Sequence, residues 1–154
     1  MSVPSALRDL AGEWAGENRL WLCTEEPARH SQATASVALA AQGRFATIRY
    51  TWAEEGQPQD GLLLLGMDPR RETWEAAWID SWHMGDKIML CRGAADAGGA
   101  ISVRGAYAAP PGPDWGWRIE IHAEAADRFE MIMYNISPEG EEALAVEARY
   151  TRRS

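Results

Sequence analysis

Residues 115–137, WGWRIEIHAEAADRFEMIMYNIS, contain two segments of alternating apolar and polar residues on either side of a short turn. In residues 115–124 an apolar side chain occupies every second position, which is the period of a β-strand with one buried face. Residues 128–137 also alternate, with apolar groups on both faces. The connection Ala125-Ala126-Asp127 is much shorter than the crossover that parallel strands need. This stretch therefore predicts an antiparallel hairpin.

Similar alternation continues along most of the chain. It predicts about ten strands, at approximately 13–23, 33–41, 44–53, 60–67, 72–82, 87–93, 100–108, 115–124, 128–137 and 142–152. Short turns rich in Gly, Pro or Asp separate them, among them Gln42-Gly43, Ala97-Gly98-Gly99 and residues 137–140. Short turns join antiparallel neighbours, so the strands form a meander. A meander of this length leaves two unpaired edges, and closure into a barrel removes both.

The first residues differ from the rest because their apolar positions have a helical period. Val3, Leu7 and Leu10 fall on one helical face over residues 3–11, and Gly12 ends the run. The predicted fold class is therefore all-β, a closed antiparallel up-and-down barrel of about ten strands with a short N-terminal helix. With 154 residues and no break in composition, residues 1–154 are expected to form a single domain.

Composition restricts the expected partners and location. The chain has 23 acidic and 15 basic residues, a formal net charge of −8, and such a surface repels nucleic-acid phosphates and anionic membranes. We expect neither kind of partner. The longest apolar run is residues 62–65 and no export signal is visible, so a cytoplasmic location is expected. Under that expectation Cys23 and Cys91 are interpreted as buried free thiols rather than a disulfide.

The eight tryptophans are the main indication of function. In residues 72–82, Trp74, Trp78 and Trp82 share one strand face with Asp80, and a carboxylate in that setting needs a hydrogen-bonding partner or a wet cavity. We interpret this face as the wall of a pocket for an apolar or amphipathic small molecule. The predicted ligand-binding residues are Asn18, Trp74, Trp78, Asp80, Trp82, His83, Trp117 and Tyr134.

Two other functions remain open at this point. In the first, Asp80 and His83 are the acid–base groups of an enzyme acting on a hydrophobic molecule. Their odd spacing places them on opposite faces of a regular strand, so this function requires a bend or strand end near Met84-Gly85. In the second, Asp80 only braces a turn, and the barrel is a filled structural module that forms oligomers. No metal site or cofactor motif is recognised, and neither is predicted.

The assembly of the chain is predicted from residues 128–137. Apolar residues on both faces of this strand indicate that part of the outer wall is covered, either by the N-terminal helix or by a second subunit. We therefore expect a homodimer.

Four segments carry a resemblance to a known family. The stretch LAGEWAG at 10–16 resembles the Gly-x-Trp signature on the first strand of calycins, which include lipocalins, fatty-acid-binding proteins and nitrobindin-like barrels. With residues 78–84, 107–118 and 133–138, the chain is similar over nearly its whole length to the bacterial family DUF1579. This resemblance implies a calycin-like barrel and no particular activity.

The same resemblance implies one contact and excludes one cofactor. In calycins an arginine of the last strand packs over the tryptophan of the first, so Arg149 or Arg152 is expected to cover Trp14. Nitrobindin-like proteins bind haem through a histidine near the C-terminus. This chain has no histidine there, so haem binding is not implied.

Overall fold

The computed structural model describes residues 4–95 and 98–154, and within them the chain forms a closed antiparallel barrel. The elements are α1 (Ser5–Arg8), β1 (Gly12–Leu20), β2 (Arg29–Ala40), β3 (Phe45–Glu54), β4 (Gln57–Asp68), β5 (Thr73–Asp80), β6 (Met89–Ala95), β7 (Ile101–Tyr107), β8 (Trp115–Ala125), β9 (Arg128–Ile136) and β10 (Glu142–Arg152). Each strand pairs with its neighbours along the chain, and β1 pairs with β10 to complete the ring. The predicted fold class is confirmed.

Two strand boundaries differ from the prediction for identifiable reasons. Strand β2 begins at Arg29 rather than at 33, because polar residues without apolar alternation continue its pairing with β1. Strand β5 ends at Asp80 rather than at 82. The carboxylate of Asp80 accepts the backbone N–H groups of Trp82 and His83, and this turns the chain out of the strand.

The N-terminal helix is shorter than the predicted 3–11. It occupies Ser5–Arg8, and the N–H of Leu10 then bonds to the carbonyl of Leu7 in a final turn. Leu7 and Leu10 are buried against the core, as their spacing indicates. Val3, on the same predicted face, and Ala97, in a predicted turn, lie outside the described residues. In the described part of the chain, no helix is long and apolar enough to cross a membrane.

Arg152 covers the end of the barrel next to α1. Its guanidinium carbon stands 4.3 Å from the centre of the Trp14 ring. The same group donates hydrogen bonds to the carbonyl oxygens of Asp9 at 2.7 Å, Ala11 at 2.9 Å and Ala126 at 3.0 Å. Arg149 points outward to Glu130 and Glu147 instead. The two candidates for covering Trp14 are thereby distinguished.

Large side chains on the inward faces of the strands fill the barrel from the end next to α1 to its middle. Trp14, Trp74, Trp78 and Phe129 are among the fully buried residues. The alternation predicted for residues 115–124 holds in the middle of β8, where Trp117, Ile119 and Ile121 are buried. It fails at the strand ends, where Trp115 is half-buried and Ala123 is exposed.

One expectation about burial, that of Cys23, is wrong. Cys23 is exposed, because it lies in the connection after β1 rather than within a strand, whereas Cys91 is buried in β6; both are free thiols. On the outer face of β9, Tyr134 lies under the guanidinium of Arg118 at 4.2 Å. Arg118 of the neighbouring strand thus contacts this part of the wall, and its cover by the helix or a second subunit stays a prediction.

Candidate functional site

The open end of the barrel, opposite α1, contains two adjoining pockets. Their volumes are about 400 and 170 Å³. Trp82, His83 and Trp117 line both. The larger pocket extends toward the β1–β2 connection and Asn135, and the smaller extends toward Met84, Met89 and Tyr107. Together these walls form one indole-rich site at the mouth of the barrel.

A larger depression lies elsewhere, on the outer wall. It measures about 490 Å³ around Phe45, Leu64 and Leu90. Its charged rim residues Glu75 and Arg92 approach each other at 3.5 Å. This groove has an apolar floor and self-paired charges, which is typical of a protein-contact surface rather than of a small-molecule site.

Asp80, at the end of β5, lies beneath the open end, and both of its carboxylate oxygens accept hydrogen bonds. The residue is only 3% exposed. Tyr50 Oη donates to Oδ2 at 2.6 Å, and Trp78 Nε1 donates in turn to Tyr50 Oη at 2.8 Å. Oδ1 accepts the N–H groups of Trp82 and His83 at 2.9 and 2.8 Å. These bonds offset the cost of burying the carboxylate and hold the β5–β6 loop over the barrel.

The same contacts determine the charge of this network. Burial on its own raises the pKa of Asp80, but the hydrogen bonds from His83 and Tyr50, with the charge of His83, outweigh it, so that pKa lies below its ordinary 3.8. Burial, and then the neighbouring Asp80 charge, raises the pKa of Tyr50 well above 10.0. At neutral pH Asp80 is therefore ionised and Tyr50 is protonated.

Four tryptophan rings surround the imidazole of His83, next to this carboxylate. Its ring centre lies 4.7 Å from that of Trp82, 5.2 Å from Trp117, 5.5 Å from Trp52 and 5.8 Å from Trp78. Its Nδ1 is 3.2 Å from Asp80 Oδ1. The odd spacing of Asp80 and His83 does not separate them, because the strand ends at Asp80 and the chain turns back.

Two polar residues of the site were not among the predicted ones. Tyr107 Oη donates to Asn135 Oδ1 at 2.5 Å. Each lies at the strand end that faces the mouth, and the alternation of β9 already placed Asn135 on the inner face with Met133. The sequence pattern does not show which strand ends lie together at the open end of the barrel. That depends on the position of the helix, which closes the other end.

The structure brings together some of the predicted site residues and separates others. Trp78, Trp82, His83 and Trp117 line the pockets, and Asp80 lies directly beneath His83. Asn18 and Trp74 are buried inside the barrel but line neither pocket. Tyr134 does not point inward at all: it lies on the outer face with Arg118. Tyr134 and Asn135 are adjacent in the strand and therefore lie on opposite faces.

One buried donor of the pocket walls has no partner: in residues 4–95 and 98–154, the indole N–H of Trp117 makes no hydrogen bond. The described residues contain no cluster of three or more His, Cys, Asp or Glu side chains placed to hold a metal.

Comparison with known proteins identifies a family and a shared fold. A family model described as "Protein of unknown function (DUF1579)" matches residues 4–152. No match is found among curated proteins. Among solved structures, Rv2717c from M. tuberculosis is similar over 100% of both chains, at 15% identity and a TM-score of 0.66.

Two further structures are similar over the whole of this chain. The S-type phycobiliprotein lyase CPES from Guillardia theta is covered over 94% of its length, at 13% identity and a TM-score of 0.62. A redesigned β-barrel, b11L5F_LGL, is covered over 100%, at 10% identity and a TM-score of 0.52. At these identities the similarity concerns the fold alone.

Proposed function

The chain belongs to the DUF1579 family, and on that premise we propose that it binds an apolar or amphipathic small molecule at the open end of its barrel. The observation that carries this proposal is the pair of adjoining pockets that share Trp82, His83 and Trp117. The larger has a volume of about 400 Å³, within the range of small-molecule sites. Apolar walls with one fixed polar group are also typical of such sites. The similar fold of a phycobiliprotein lyase is compatible with a small-molecule partner.

The apolar probe Nile red tests the proposal with a matched pair of variants. Trp82 and Ile88 are both exposed residues of the β5–β6 loop, at 39% and 67%, but only Trp82 lines the pockets. We expect saturable Nile red emission with the wild-type protein. The affinity should fall about tenfold in Trp82→Ala, since truncating an aromatic contact residue typically costs more than about 1 kcal/mol. Ile88→Ala should bind as the wild type does, and equal affinities in all three proteins would argue against the site.

Alkylation of Cys23 provides a second measurement at the same mouth. Cys23 is exposed and lines the larger pocket. Cys91 serves as the internal control, because it is buried and burial raises the pKa of its thiol to about 11. Saturating Nile red should slow the reaction of Cys23 with iodoacetamide. An unchanged rate would show that the probe binds elsewhere.

A second candidate function has one supporting observation, the contact between Asp80 and His83. A carboxylate that orients an imidazole toward a pocket is the arrangement of a general base. If His83 activates water, the wild-type protein should hydrolyse an apolar ester such as p-nitrophenyl butyrate. The rate should fall to background in His83→Gln and remain unchanged in His122→Gln, which alters a histidine of the outer wall.

The assembly and setting of the protein complete the proposal: a homodimer in a bacterial cytoplasm. The surface that we propose for the dimer is the outer-wall groove of Phe45, Leu64 and Leu90. Leu90 is 75% exposed. A second copy of the chain would bury this exposed apolar floor, as the contact surface of a symmetric dimer does.

A further inference from the structure

His83 is held in an orientation that leaves one ring nitrogen for a ligand. Its Nδ1 is directed to Asp80 Oδ1 at 3.2 Å, and the ionised carboxylate can only accept a hydrogen bond. In the neutral form of His83, Nδ1 therefore carries the ring proton and Nε2 has a free lone pair. Within the described ranges Nε2 has no hydrogen-bond partner, and the ring lines both pockets. Nε2 is thus a hydrogen-bond acceptor at the mouth of the barrel.

The surroundings of His83 favour a donor that carries an acidic proton. Among the described residues, Asp80 has no Lys or Arg within ion-pair distance, and its carboxylate contacts the His83 ring at Nδ1. A polarised O–H that donates to Nε2 brings partial positive charge toward this buried, ionised carboxylate, which strengthens the hydrogen bond. The other titratable groups nearby are Tyr50, which donates to Asp80, and Cys23 and Tyr107, which line the pockets.

The pocket walls specify the remainder of the ligand. Neither pocket is lined by Asp, Glu, Lys or Arg, so a cationic ligand finds no carboxylate there. The amide of Asn135 accepts from Tyr107 through Oδ1, which leaves its NH₂ group as a donor for an oxygen. Trp78 stacks behind Trp117 with ring centres 5.3 Å apart, and Trp117 and Trp82 line both pockets with apolar ring surface. A flat apolar body suits such walls.

We propose that the molecule bound at the open end is a weak acid on a flat apolar body, such as a phenol, an enol or an aromatic carboxylic acid. Its O–H group donates a hydrogen bond to His83 Nε2. This inference rests on the proposed function, since it names the chemical class of the ligand for that site. It assigns His83 as the residue that selects for the acidic proton and Asp80 as a positioning residue that fixes the tautomer of His83.

β-Naphthol and its methyl ether test this selection, because the ether has nearly the same shape and no O–H. Both are titrated as competitors of Nile red. The wild-type protein should bind β-naphthol about tenfold more tightly than the ether, a ratio that corresponds to one hydrogen bond. In His83→Phe the ring is kept and the acceptor is lost, so the two affinities should become equal. In His122→Phe the tenfold preference should remain.

A spectroscopic measurement on the wild-type protein makes the test independent of how well the variants fold. β-Naphthol becomes a stronger acid when excited, and a base in contact with its O–H then takes the proton and produces naphtholate emission. Water also accepts this proton, so with the protein in excess, excitation beyond the absorption of tryptophan should give a larger share of naphtholate emission than β-naphthol gives in buffer. Equal affinities for naphthol and ether, or a share of naphtholate emission no larger than in buffer, would overturn the proposal. If neither compound displaces Nile red and Nile red itself does not bind, the proposed function fails as well.

Discussion

At the scale of single residues, the strand pattern around Asp80 predicts that this carboxylate is buried but does not predict its hydrogen-bond partners. The alternation of β5 places this carboxylate among indoles, and burial physics then requires a partner for it. The identity of the partners depends on barrel register. Tyr50 comes from β3 and lies over Gly61 of β4, where an added Cβ would be 2.3 Å from Tyr50 Oη. No local pattern brings these three residues together.

Replacing Asp80 with Asn should lower the free energy of unfolding by about 1.5–3 kcal/mol, the range for hydrogen bonds to a charged group. The pKa of Asp80 is lowered by folding, so its contribution is fully present above the ordinary value of 3.8. It is lost as the pH falls through the lower folded-state pKa. Urea unfolding of both proteins across acid pH should therefore show the difference shrinking below pH 3.8. A difference that is independent of pH would contradict the role of the charge.

Gly61→Ala tests the space for Tyr50. The new methyl group would meet the phenol ring and, at 2.7 Å, the carbonyl oxygen of Ile79. Overpacking of this kind typically costs about 1–3 kcal/mol, and the thermal midpoint should fall accordingly. Gly112→Ala is the control, since the nearest atom to its added Cβ is 3.8 Å away. Equal midpoints for the two variants would show that Tyr50 moves aside without cost.

At the scale of elements, periodicity located the strands, whereas specific side chains set their ends. Strand β5 stops where Asp80 captures two backbone N–H groups, and β2 continues through polar residues because β1 is beside it. The helix is limited to one turn, and Arg152 binds the carbonyl groups that follow it. These ends depend on contacts between distant parts of the chain, which period-two alternation does not encode.

Arg152→Lys should destabilise the protein, whereas Arg149→Lys should have little effect. A lysine cannot reproduce the fork that reaches the carbonyl oxygens of Asp9, Ala11 and Ala126. We expect a loss of about 1–2 kcal/mol, or roughly 2–8 °C in the melting temperature. Arg149 makes only outward ion pairs at 3.3 and 3.5 Å and is largely exposed. Calorimetry of the two variants checks this, and a larger effect at Arg149 would reverse the assignment.

At the scale of the whole molecule, the short turns and the alternation were sufficient to predict that the sheet closes into a barrel. The location of the site at one end was not predictable, because it requires knowing which end the helix occupies. The sequence also could not predict which apolar side chains of the outer wall are covered. On β9 Tyr134 lies under Arg118, while Phe45 of β3, Leu64 of β4 and Leu90 of β6 are exposed.

The exposed groove leads to a prediction about assembly. We expect sedimentation equilibrium to give twice the 17.0 kDa chain mass, with an interface of at least about 1,000 Å². Leu90→Glu places a charge in the groove and should produce monomers. Leu22→Glu, which alters another exposed leucine at the open end, should leave the dimer intact. A wild-type species of 17.0 kDa at all concentrations would exclude the dimer.

The pairing of β1 with β10 also has a consequence for how the chain folds during its synthesis. Trp14 is opposite Arg152 in this ladder, so the first strand cannot complete its hydrogen bonds until β10 has left the ribosome. Until then β1 has an unpaired edge, the kind of edge that other chains can join. Ring closure also joins residues that are far apart in sequence, and contacts of this type slow folding. Nascent chains of this barrel should therefore be most prone to aggregation just before β10 emerges from the ribosome.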